Sequence, residues 1–416
     1  MFYWILGDEG LNGMGISSRK KIWKQIKYWC QLLLLLPYGL TFLMPRNKKL
    51  WVFGSSFGRS FTDNPKYFYL YMIDQKPEQV RAVWITKNKE ILTFLKENQL
   101  EGYYLYSPKG VWLSLRAKVY LYDNYSKDIC YTLSGGAIKV NLWHGIPLKK
   151  IQQDNVFDYF RNPRSLSEKL YGIPRRISDE KPSNYVLCAS EYYRDIFGSA
   201  FRTKRVIVAD YPRNDILKDP NRNVVLTDRE KRAIEKINDK KDRKIILYMP
   251  TFRESEKNFF QAVDLPDLCS FLEKEGYVFC VKLHPKSKLQ AEFIKAGNQN
   301  IIVIDSNTDP YPLCQRADIL VTDYSSIYFD YLLTDKPIIF FPYDLEDYLS
   351  DSRELYFDYI DFTPGVKVKN HKELKEALTE PDRFRTERQV LREKLFGTHS
   401  ESGSEQLFRQ LWETVI

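Results

Sequence analysis

Two of the four histidines in the chain stand where an apolar run ends and a loop begins. His144 follows "AIKVNLW" and precedes a glycine, and His284 follows "YVFCVKL" and precedes a proline. Both runs are typical of buried strands, and open α/β sheets bind ligands beyond the carboxyl ends of their strands. One histidine at a strand end is more often structural than catalytic. The repeated placement fits a structural role and a catalytic role equally well. In the catalytic role the two imidazoles face each other across a cleft, where a neutral ring, with an ordinary pKa of about 6.5, can accept a proton.

A group of polar residues follows a third apolar run, in "ADILVTDYSSIYFDYLL". Thr322 ends the predicted strand, and Asp323, Ser325 and Ser326 precede an amphipathic helix. Hydroxyls and free backbone N–H groups at the start of a helix suit phosphate oxygens. Simple capping of the helix explains the two serines equally well. The negative charge of Asp323 argues against its own direct contact with phosphate.

Two arginines lie close to the same predicted edges. Arg253 follows a strand in "YMPTFRE", and Arg213 lies in "ADYPRNDIL". A guanidinium group forms paired hydrogen bonds to phosphate oxygens better than a lysine does. An arginine after a strand is also commonly the partner of a surface ion pair, so these two positions alone do not identify a phosphate site.

The sequence patterns typical of metal sites, disulfides, nucleotide-binding loops and hydrolases are absent. The six cysteines are scattered without a CxxC pair, which favours reduced core residues in a cytosolic protein over a zinc site or disulfides. The chain contains neither GxGxxG nor GxxxxGK[ST] after its first strands, and it has no HExxH helix or nucleophile elbow. We therefore expect neither a metal nor a cofactor. The net charge of +9 favours an anionic partner, but no nucleic-acid-binding signature accompanies it.

Alternating apolar and amphipathic runs predict the elements that position these residues. The alternation from residue 49 onward is typical of βαβ units, and a polar stretch near residue 220 divides it into two series. The length also favours two domains. We expect an α/β protein with two doubly wound, Rossmann-like domains and a C-terminal helix. The predicted segments are 1–48, 49–220, 221–390 and 391–416.

The segment that precedes the first series is apolar and has basic flanks. Residues 28–44 are apolar apart from a few polar side chains, and eight lysines and arginines flank them. Seventeen residues interrupted by a proline barely span a bilayer, so we expect the segment to lie in the membrane interface. Each nearby cation would contribute about 1 kcal/mol of attraction to anionic lipid. A buried hydrophobic helix is the alternative.

Six motifs in order carry a family resemblance. They are "WHGIPLKKI", "YPRNDIL", "YMPTFRE", "VKLHP", "TDYSSIYFDYLLTDKPIIFFPYDLEDY" and "ELYFDY". Together they resemble the CDP-glycerol glycerophosphotransferases, the primases and polymerases of bacterial teichoic acids, over residues 51–365. The resemblance implies a GT-B-like fold in which 49–220 is the acceptor side and 221–390 binds the CDP-polyol. It also implies peripheral attachment to the cytoplasmic face of the cell membrane.

The resemblance further implies a reaction and the residues that serve it. Glycerol phosphate or ribitol phosphate passes from CDP-glycerol or CDP-ribitol to a glycan acceptor linked to undecaprenyl diphosphate, and CMP is released. His144 and His284 match the catalytic histidines, and we expect His144 to be the general base, although the two roles could be exchanged. The residues expected to hold the donor are Arg253, Thr322, Ser325, Ser326, Arg213 and Asp323.

One departure from the family pattern leaves the identity of the donor undecided. Gln406 stands in "ESGSEQL" where an arginine is common among relatives, so CDP-ribitol remains beside CDP-glycerol. Two other functions also remain: a GT-B glycosyltransferase that uses a nucleotide sugar, and a non-catalytic scaffold at the membrane surface.

Overall fold

The computed structural model of the chain contains two parallel β-sheets with helices on both faces. It describes residues 23–415 except 24, 27, 159, 178–180, 220, 221, 223, 241, 254–258, 346, 347, 349–353 and 398–400. The predicted α/β fold with two doubly wound sheets is confirmed. The boundaries expected for the domains stay predictions.

The first sheet has seven parallel strands in the order β3-β2-β1-β4-β5-β6-β7. Its strands are β1 Asn47–Phe53, β2 Arg81–Thr86, β3 Gly102–Tyr104, β4 Ala117–Tyr122, β5 Ile138–Asn141, β6 Tyr185–Cys188 and β7 Val206–Val208. The loops after β1 and β4 leave in opposite directions because the strand order reverses between these neighbours. Such a reversal opens a crevice at the carboxyl edge of a sheet.

The second sheet repeats this order with six parallel strands, β10-β9-β8-β11-β12-β13. Its strands are β8 Lys244–Tyr248, β9 Tyr277–Val281, β10 Ile301–Val303, β11 Ile319–Thr322, β12 Ile338–Phe340 and β13 Val366–Lys367. The strand order here reverses between β8 and β11. Central strands such as β11 are buried throughout, which explains why they appear in the sequence as continuous apolar runs.

Helices connect the strands and flank them. In the described part of the chain they are α1 Leu35–Leu40, α2 Asp63–Gln75, α3 Lys89–Glu97, α4 Pro108–Arg116, α5 Leu166–Tyr171, α6 Ile173–Ile177, α7 Arg194–Ala200, α8 Asp215–Lys218, α9 Asp228–Asn238, α10 Phe259–Ala262, α11 Leu265–Glu275, α12 Leu289–Ala296, α13 Tyr311–Arg316, α14 Ile327–Tyr331, α15 Tyr359–Phe362, α16 His371–Thr379, α17 Arg385–Phe396 and α18 Gly403–Val415.

A buried ion cluster connects the two halves of the chain. Lys66 lies on α2 of the first half, and its Nζ is 3.0 Å from Glu230 on α9 and 3.1 Å from Asp309, which follows β10. None of the three side chains is more than 2% exposed. Two carboxylates beside one ammonium group compensate the cost of burying it, and they tie the start of α2 to the second half.

The last helix, α18, returns from the second half to pack on the first. Phe408 lies against Trp51 of β1 with 6.3 Å between the ring centroids, and the Gly403 N–H donates to Asp215 Oδ1 at 2.7 Å. Gln406 is buried in this helix, and its Oε1 accepts a hydrogen bond from the Asp210 N–H at 3.4 Å. The chain therefore crosses between the halves twice.

The apolar N-terminal segment rests on the first half with one face. Tyr38 of α1 stacks on Tyr131 at 4.5 Å, and the Thr41 hydroxyl accepts a hydrogen bond from the Gly135 N–H at 3.0 Å. Large apolar side chains on this segment remain exposed, namely Leu33, Leu34, Leu36, Leu40, Phe42 and Leu43. Within the described residues, we find no helix whose length and apolar character would allow it to cross a bilayer.

Candidate active site

A cavity of about 310 Å³, which we name the main cavity because it contains His144, lies where the two halves of the chain meet. Both halves contribute to its wall, because the loops beyond the strands of each sheet turn toward it. The lining side chains that bear on the chemistry are Ser56, Asp63, His144, Arg213, Ser325 and Ser326. Four of the residues selected from the sequence therefore share one cavity.

The turn that carries His144 requires a glycine. Gly145 has φ +145°, a backbone conformation that residues with a side chain rarely adopt. A Cβ atom at this position would lie 3.1 Å from Ser326 Oγ and 3.3 Å from Arg213 Nη2. The glycine thus allows the backbone beside the histidine to approach the second half closely.

Asn64, at the start of α2, forms hydrogen bonds to the turn that carries His144. Its side-chain amide donates to the carbonyl oxygens of Leu142, at 3.1 Å, and of Trp143, at 2.9 Å. Asn64 is fully buried, and its Oδ1 accepts a hydrogen bond from the Arg213 N–H at 3.3 Å. The position of His144 therefore depends on a residue 80 positions earlier that contacts no cavity space itself.

The hydrogen bonding of His144 fixes its neutral tautomer. Nδ1 lies 3.2 Å from the carbonyl oxygen of Asp123, and a carbonyl can only accept, so Nδ1 carries the proton. Nε2 of the neutral ring then has a lone pair that accepts no hydrogen bond from the described residues. Burial lowers the pKa of His144, and Arg213 lowers it further, against the opposing effects of the Asp63 carboxylate and the Asp123 carbonyl. The surrounding protein atoms desolvate the ring, but part of the residue remains accessible at the cavity that it lines, so the neutral ring can offer its acceptor nitrogen there.

His284 has the opposite tautomer. Its Nδ1 accepts a hydrogen bond from the Lys286 N–H at 3.2 Å, so the proton of the neutral ring lies on Nε2. Burial lowers the pKa of His284, and the charges of Lys286 and Lys282 lower it further. The side chain is exposed. The two histidines therefore differ chemically, because one offers an acceptor nitrogen and the other offers a donor N–H.

Each sheet places a carboxylate at its point of strand-order reversal. Asp123 follows β4 and accepts a hydrogen bond from the Ser56 N–H, beyond β1, at 3.1 Å. Asp323 follows β11 and accepts one from the Thr251 N–H, beyond β8, at 2.8 Å. Both carboxylates are nearly fully buried. Each carboxylate thus connects the two loops that diverge at the strand-order reversal of its sheet. The backbone carbonyl of Asp123 also accepts the hydrogen bond that orients His144.

The guanidinium group of Arg253 is occupied by carboxylates. Nη1 lies 2.7 Å from Asp323, Nη2 donates to Asp344 at 2.8 Å, and Nε donates to the same carboxylate. Burial alone would lower the pKa of Arg253, but the two carboxylates outweigh burial and raise it. In this conformation, a diphosphate would have to displace one of these carboxylates to reach Arg253.

Arg213 is also held between two carboxylates. Nη1 lies 2.7 Å from Asp63, and Nη2 lies 2.7 Å from Asp330 of α14. Asp330 accepts further hydrogen bonds from Asn214, at 3.0 Å, and from the Tyr311 hydroxyl, at 2.9 Å. This network joins the first half to the second directly beside His144.

The remaining sequence candidates lie outside the main cavity. His284 and Arg253 line a separate, much smaller cavity with Thr251, and the Thr322 hydroxyl is fully buried and donates to the Met249 carbonyl at 2.7 Å. Asp323 lines neither cavity. The roles assigned to all eight residues stay predictions.

Sequence reasoning missed Asp63, Asn64 and Asp330. Asp63 and Asn64 precede a proline at a helix start, where such residues are common as caps, so their type alone did not point to the site. Asp330 carried a clearer signal, because a lone carboxylate inside the apolar run "IYFDYLL" needs a buried partner.

Comparisons with known proteins find one matching family and several similar relatives. The family described as CDP-Glycerol:Poly(glycerophosphate) glycerophosphotransferase matches residues 36–413. The chain is 29% identical over 375 residues to the teichoic acid poly(glycerol phosphate) polymerase of Bacillus spizizenii, a similarity that covers 86% of this chain and 91% of that protein. It is 27% identical over 342 residues to the teichoic acid poly(ribitol-phosphate) polymerase of the same organism, covering 80% of this chain and 51% of that protein.

Among solved structures, a variant of the wall teichoic acid polymerase TagF soaked with CDPG resembles the chain with a TM-score of 0.70. The sequence identity is 22%, and the likeness covers 97% of this chain and 99% of the other. At this identity the comparison shows a shared fold.

Proposed function

Because the chain belongs to the CDP-glycerol:poly(glycerophosphate) glycerophosphotransferase family, we propose that it transfers a polyol phosphate in the synthesis of teichoic acid or a capsular polymer. The donor is CDP-glycerol or CDP-ribitol, the acceptor is a hydroxyl of a lipid-linked glycan, and CMP is released. Relatives named for both polyols support keeping both donors. The observation that carries the proposal is the neutral imidazole of His144, whose Nε2 is free to accept a proton in the cavity between the halves.

The reaction uses His144 as its general base. The acceptor hydroxyl attacks the phosphorus atom that bears the polyol, a new P–O bond forms, and the bond to the CMP oxygen breaks. The hydroxyl proton passes to Nε2, and CMP leaves with the bonding electron pair. A phosphate leaving group needs neutralisation of its charge more than it needs a proton.

His284 is suited to contact the donor diphosphate. Its Nε2–H can donate to a phosphate oxygen, whereas its Nδ1 is occupied by the backbone. Lys282 and Lys286 add positive charge near this ring. Ser325 and Ser326 line the main cavity, and their hydroxyls can donate to phosphate oxygens from the side of the second half.

A donor panel tests the proposed activity. The purified protein is incubated with a lipid-linked acceptor and, in separate reactions, CDP-glycerol, CDP-ribitol or UDP-sugars. We expect acceptor-dependent release of CMP from one of the CDP-polyols. Release of UDP with no CMP would support a nucleotide-sugar glycosyltransferase instead, and the absence of any nucleotide release would support a scaffold.

We also propose that the chain is attached peripherally to the cytoplasmic face of a bacterial membrane. The apolar side chains exposed on the N-terminal segment support this, because exposed apolar patches of this kind commonly mark membrane contacts. Two of them, Leu36 and Leu43, are 73% and 82% exposed. Since most of each side chain is exposed, changing them should affect membrane binding without unfolding the protein.

Sedimentation with anionic liposomes tests the membrane contact. Replacing Leu36 and Leu43 by Glu should move the protein from the pellet to the supernatant, because each charge would have to leave water on binding. Ile294→Glu is the matched control, since Ile294 is 60% exposed on α12 in the other half of the chain. If both variants pellet equally, the N-terminal segment does not form the proposed membrane contact.

A further inference from the structure

A second cavity, of about 120 Å³, lies in the first half of the chain. Its wall contains the side chains of Arg176, Lys181 and Arg202, and no carboxylate is among its described lining residues. None of the three cations forms an ion pair with the described residues of the chain. Arg176 donates to the carbonyl oxygens of Phe160 and Lys169 instead. Among the described residues, the cavity therefore contains positive charge without a carboxylate partner.

This cavity adjoins the turn that carries His144. Asn124 lines both the second cavity and the main one. Asn141 also lines the second cavity, and its Oδ1 accepts a hydrogen bond from the Trp143 N–H at 2.8 Å. Phe201 completes this side of the wall and meets the Trp143 ring edge-on at 4.7 Å. A molecule extending from His144 into the first half of the chain would thus meet the second cavity next.

The positive charge continues from the cavity to the apolar N-terminal segment. Lys181 lies over the ring of Tyr38 at 5.5 Å, and Lys139 donates to the Tyr38 hydroxyl at 3.0 Å. Burial lowers the pKa of Lys139 to about 8, with further contributions from Lys181 and Arg46. A bound anion would relieve the repulsion among these cations. The second cavity therefore lies between the proposed membrane contact and the proposed base.

We propose that the second cavity binds a phosphate group of the acceptor while the acceptor hydroxyl lies at His144. This inference rests on the proposed function, because it assumes an acceptor that carries phosphate. The amide group of Gln152 and the hydroxyl group of Ser183 in the same wall suit the polyol or sugar hydroxyls beside such a phosphate. The ligand chemistry is a phosphate diester or diphosphate, and both occur in a lipid-linked glycan that already bears a polyol phosphate unit.

Steady-state kinetics with Lys181→Gln and Arg202→Gln test the site. The probe is a short-chain, water-soluble prenyl diphosphate disaccharide that carries one glycerol phosphate unit, so that liposomes are not needed. Loss of one cation–phosphate contact should raise the KM for this acceptor about tenfold. The KM for CDP-glycerol should not change, and Lys181→Arg should keep the wild-type acceptor KM. Lys96→Gln, an exposed lysine on α3 outside the cavity, is the matched control.

A second acceptor shows whether the cavity binds the phosphate diester or the diphosphate. In this analogue a neutral methylphosphonate replaces the diester of the glycerol phosphate unit. If the variants lose their effect on KM with the neutral analogue, the cavity holds the diester; if the effect persists, it holds the diphosphate. Acceptor KM values equal to that of the Lys96 control, with the wild type active, would overturn the proposed site alone. A wild type that releases no CMP from any donor would instead overturn the proposed function.

Discussion

Removing the guanidinium group of Arg213 should destabilise the fold more than it weakens donor binding. Arg213→Met leaves Asp63 and Asp330 without their shared cation, and the Asp330 side chain is only 1% exposed. Breaking a buried ion pair by removing one partner costs about 3–5 kcal/mol. Asn214 and Tyr311 still donate to Asp330 in the variant, so we expect a loss at the lower end, about 3 kcal/mol.

A second substitution should recover part of this loss. Burial raises the pKa of Asp330, and Arg213 opposes that rise, so the carboxylate is costly to bury once the arginine is gone. Asp330→Asn removes the uncompensated charge and keeps the shape of the side chain. The double variant should therefore be more stable than Arg213→Met alone, by about 1–2 kcal/mol.

Urea unfolding followed by circular dichroism measures both effects, and CMP release measures the KM for CDP-glycerol. The matched control is Arg194→Met, because Arg194 forms an exposed ion pair with Glu191 that should contribute less than about 1 kcal/mol. If Arg213→Met unfolds at the same urea concentration as the control and raises only the donor KM, then Arg213 is a donor ligand and the stabilising role derived from its two carboxylates is wrong.

Three further substitutions test the surroundings of the site. Asn64→Ala leaves two buried carbonyl oxygens without their donor, so the unfolding free energy should fall by about 2–4 kcal/mol and kcat should fall with it, as measured by urea unfolding and CMP release. Gly145→Ala places a methyl group against Ser326 in a strained backbone conformation, so kcat should fall at least tenfold; an unchanged kcat would show that the turn can shift freely. Thr322→Val removes a buried hydrogen bond worth about 1 kcal/mol, and an increase in donor KM instead would show direct contact of the Thr322 hydroxyl with CDP.

The strand ends that carry the two histidines could be predicted from the sequence. Buried parallel strands give continuous apolar runs, and a polar residue at the end of such a run must lie at the carboxyl edge of its sheet. His144 and His284 follow this rule, and so do Arg253 and Asp323. The repeated alternation of strands and helices predicted both sheets for the same reason.

The pairing of charges could not be predicted. Arg213 and Asp330 are 117 residues apart. The apolar run around Asp330 indicates that this carboxylate needs a buried partner, but nothing in the sequence tells which of the 63 lysines and arginines is that partner. Arg253 was expected to hold diphosphate, whereas the fold places it between Asp323 and Asp344. Only the three-dimensional structure shows how many of the protein's own carboxylates compete for a guanidinium group.

The tautomers of the histidines depend on similar detail. His144 donates to a carbonyl 21 residues earlier, and His284 accepts from an N–H two residues later. These hydrogen bonds arise from the exact course of two loops, which apolar periodicity does not encode. They make His144 a proton acceptor and His284 a hydrogen-bond donor, and the residue type alone does not decide between these two roles.

The pH dependence of kcat/KM for CMP release tests the base assignment most directly. A base must be neutral, so the rate should fall as the pH falls through the pKa of His144, which the fold lowers below its ordinary value of about 6.5. His284→Gln should retain this acidic limb at a reduced rate, because that ring only contacts the donor. His144→Gln should lose the limb together with about a hundredfold or more of the rate. An acidic limb that persists in His144→Gln at a nearly unchanged rate would contradict the account.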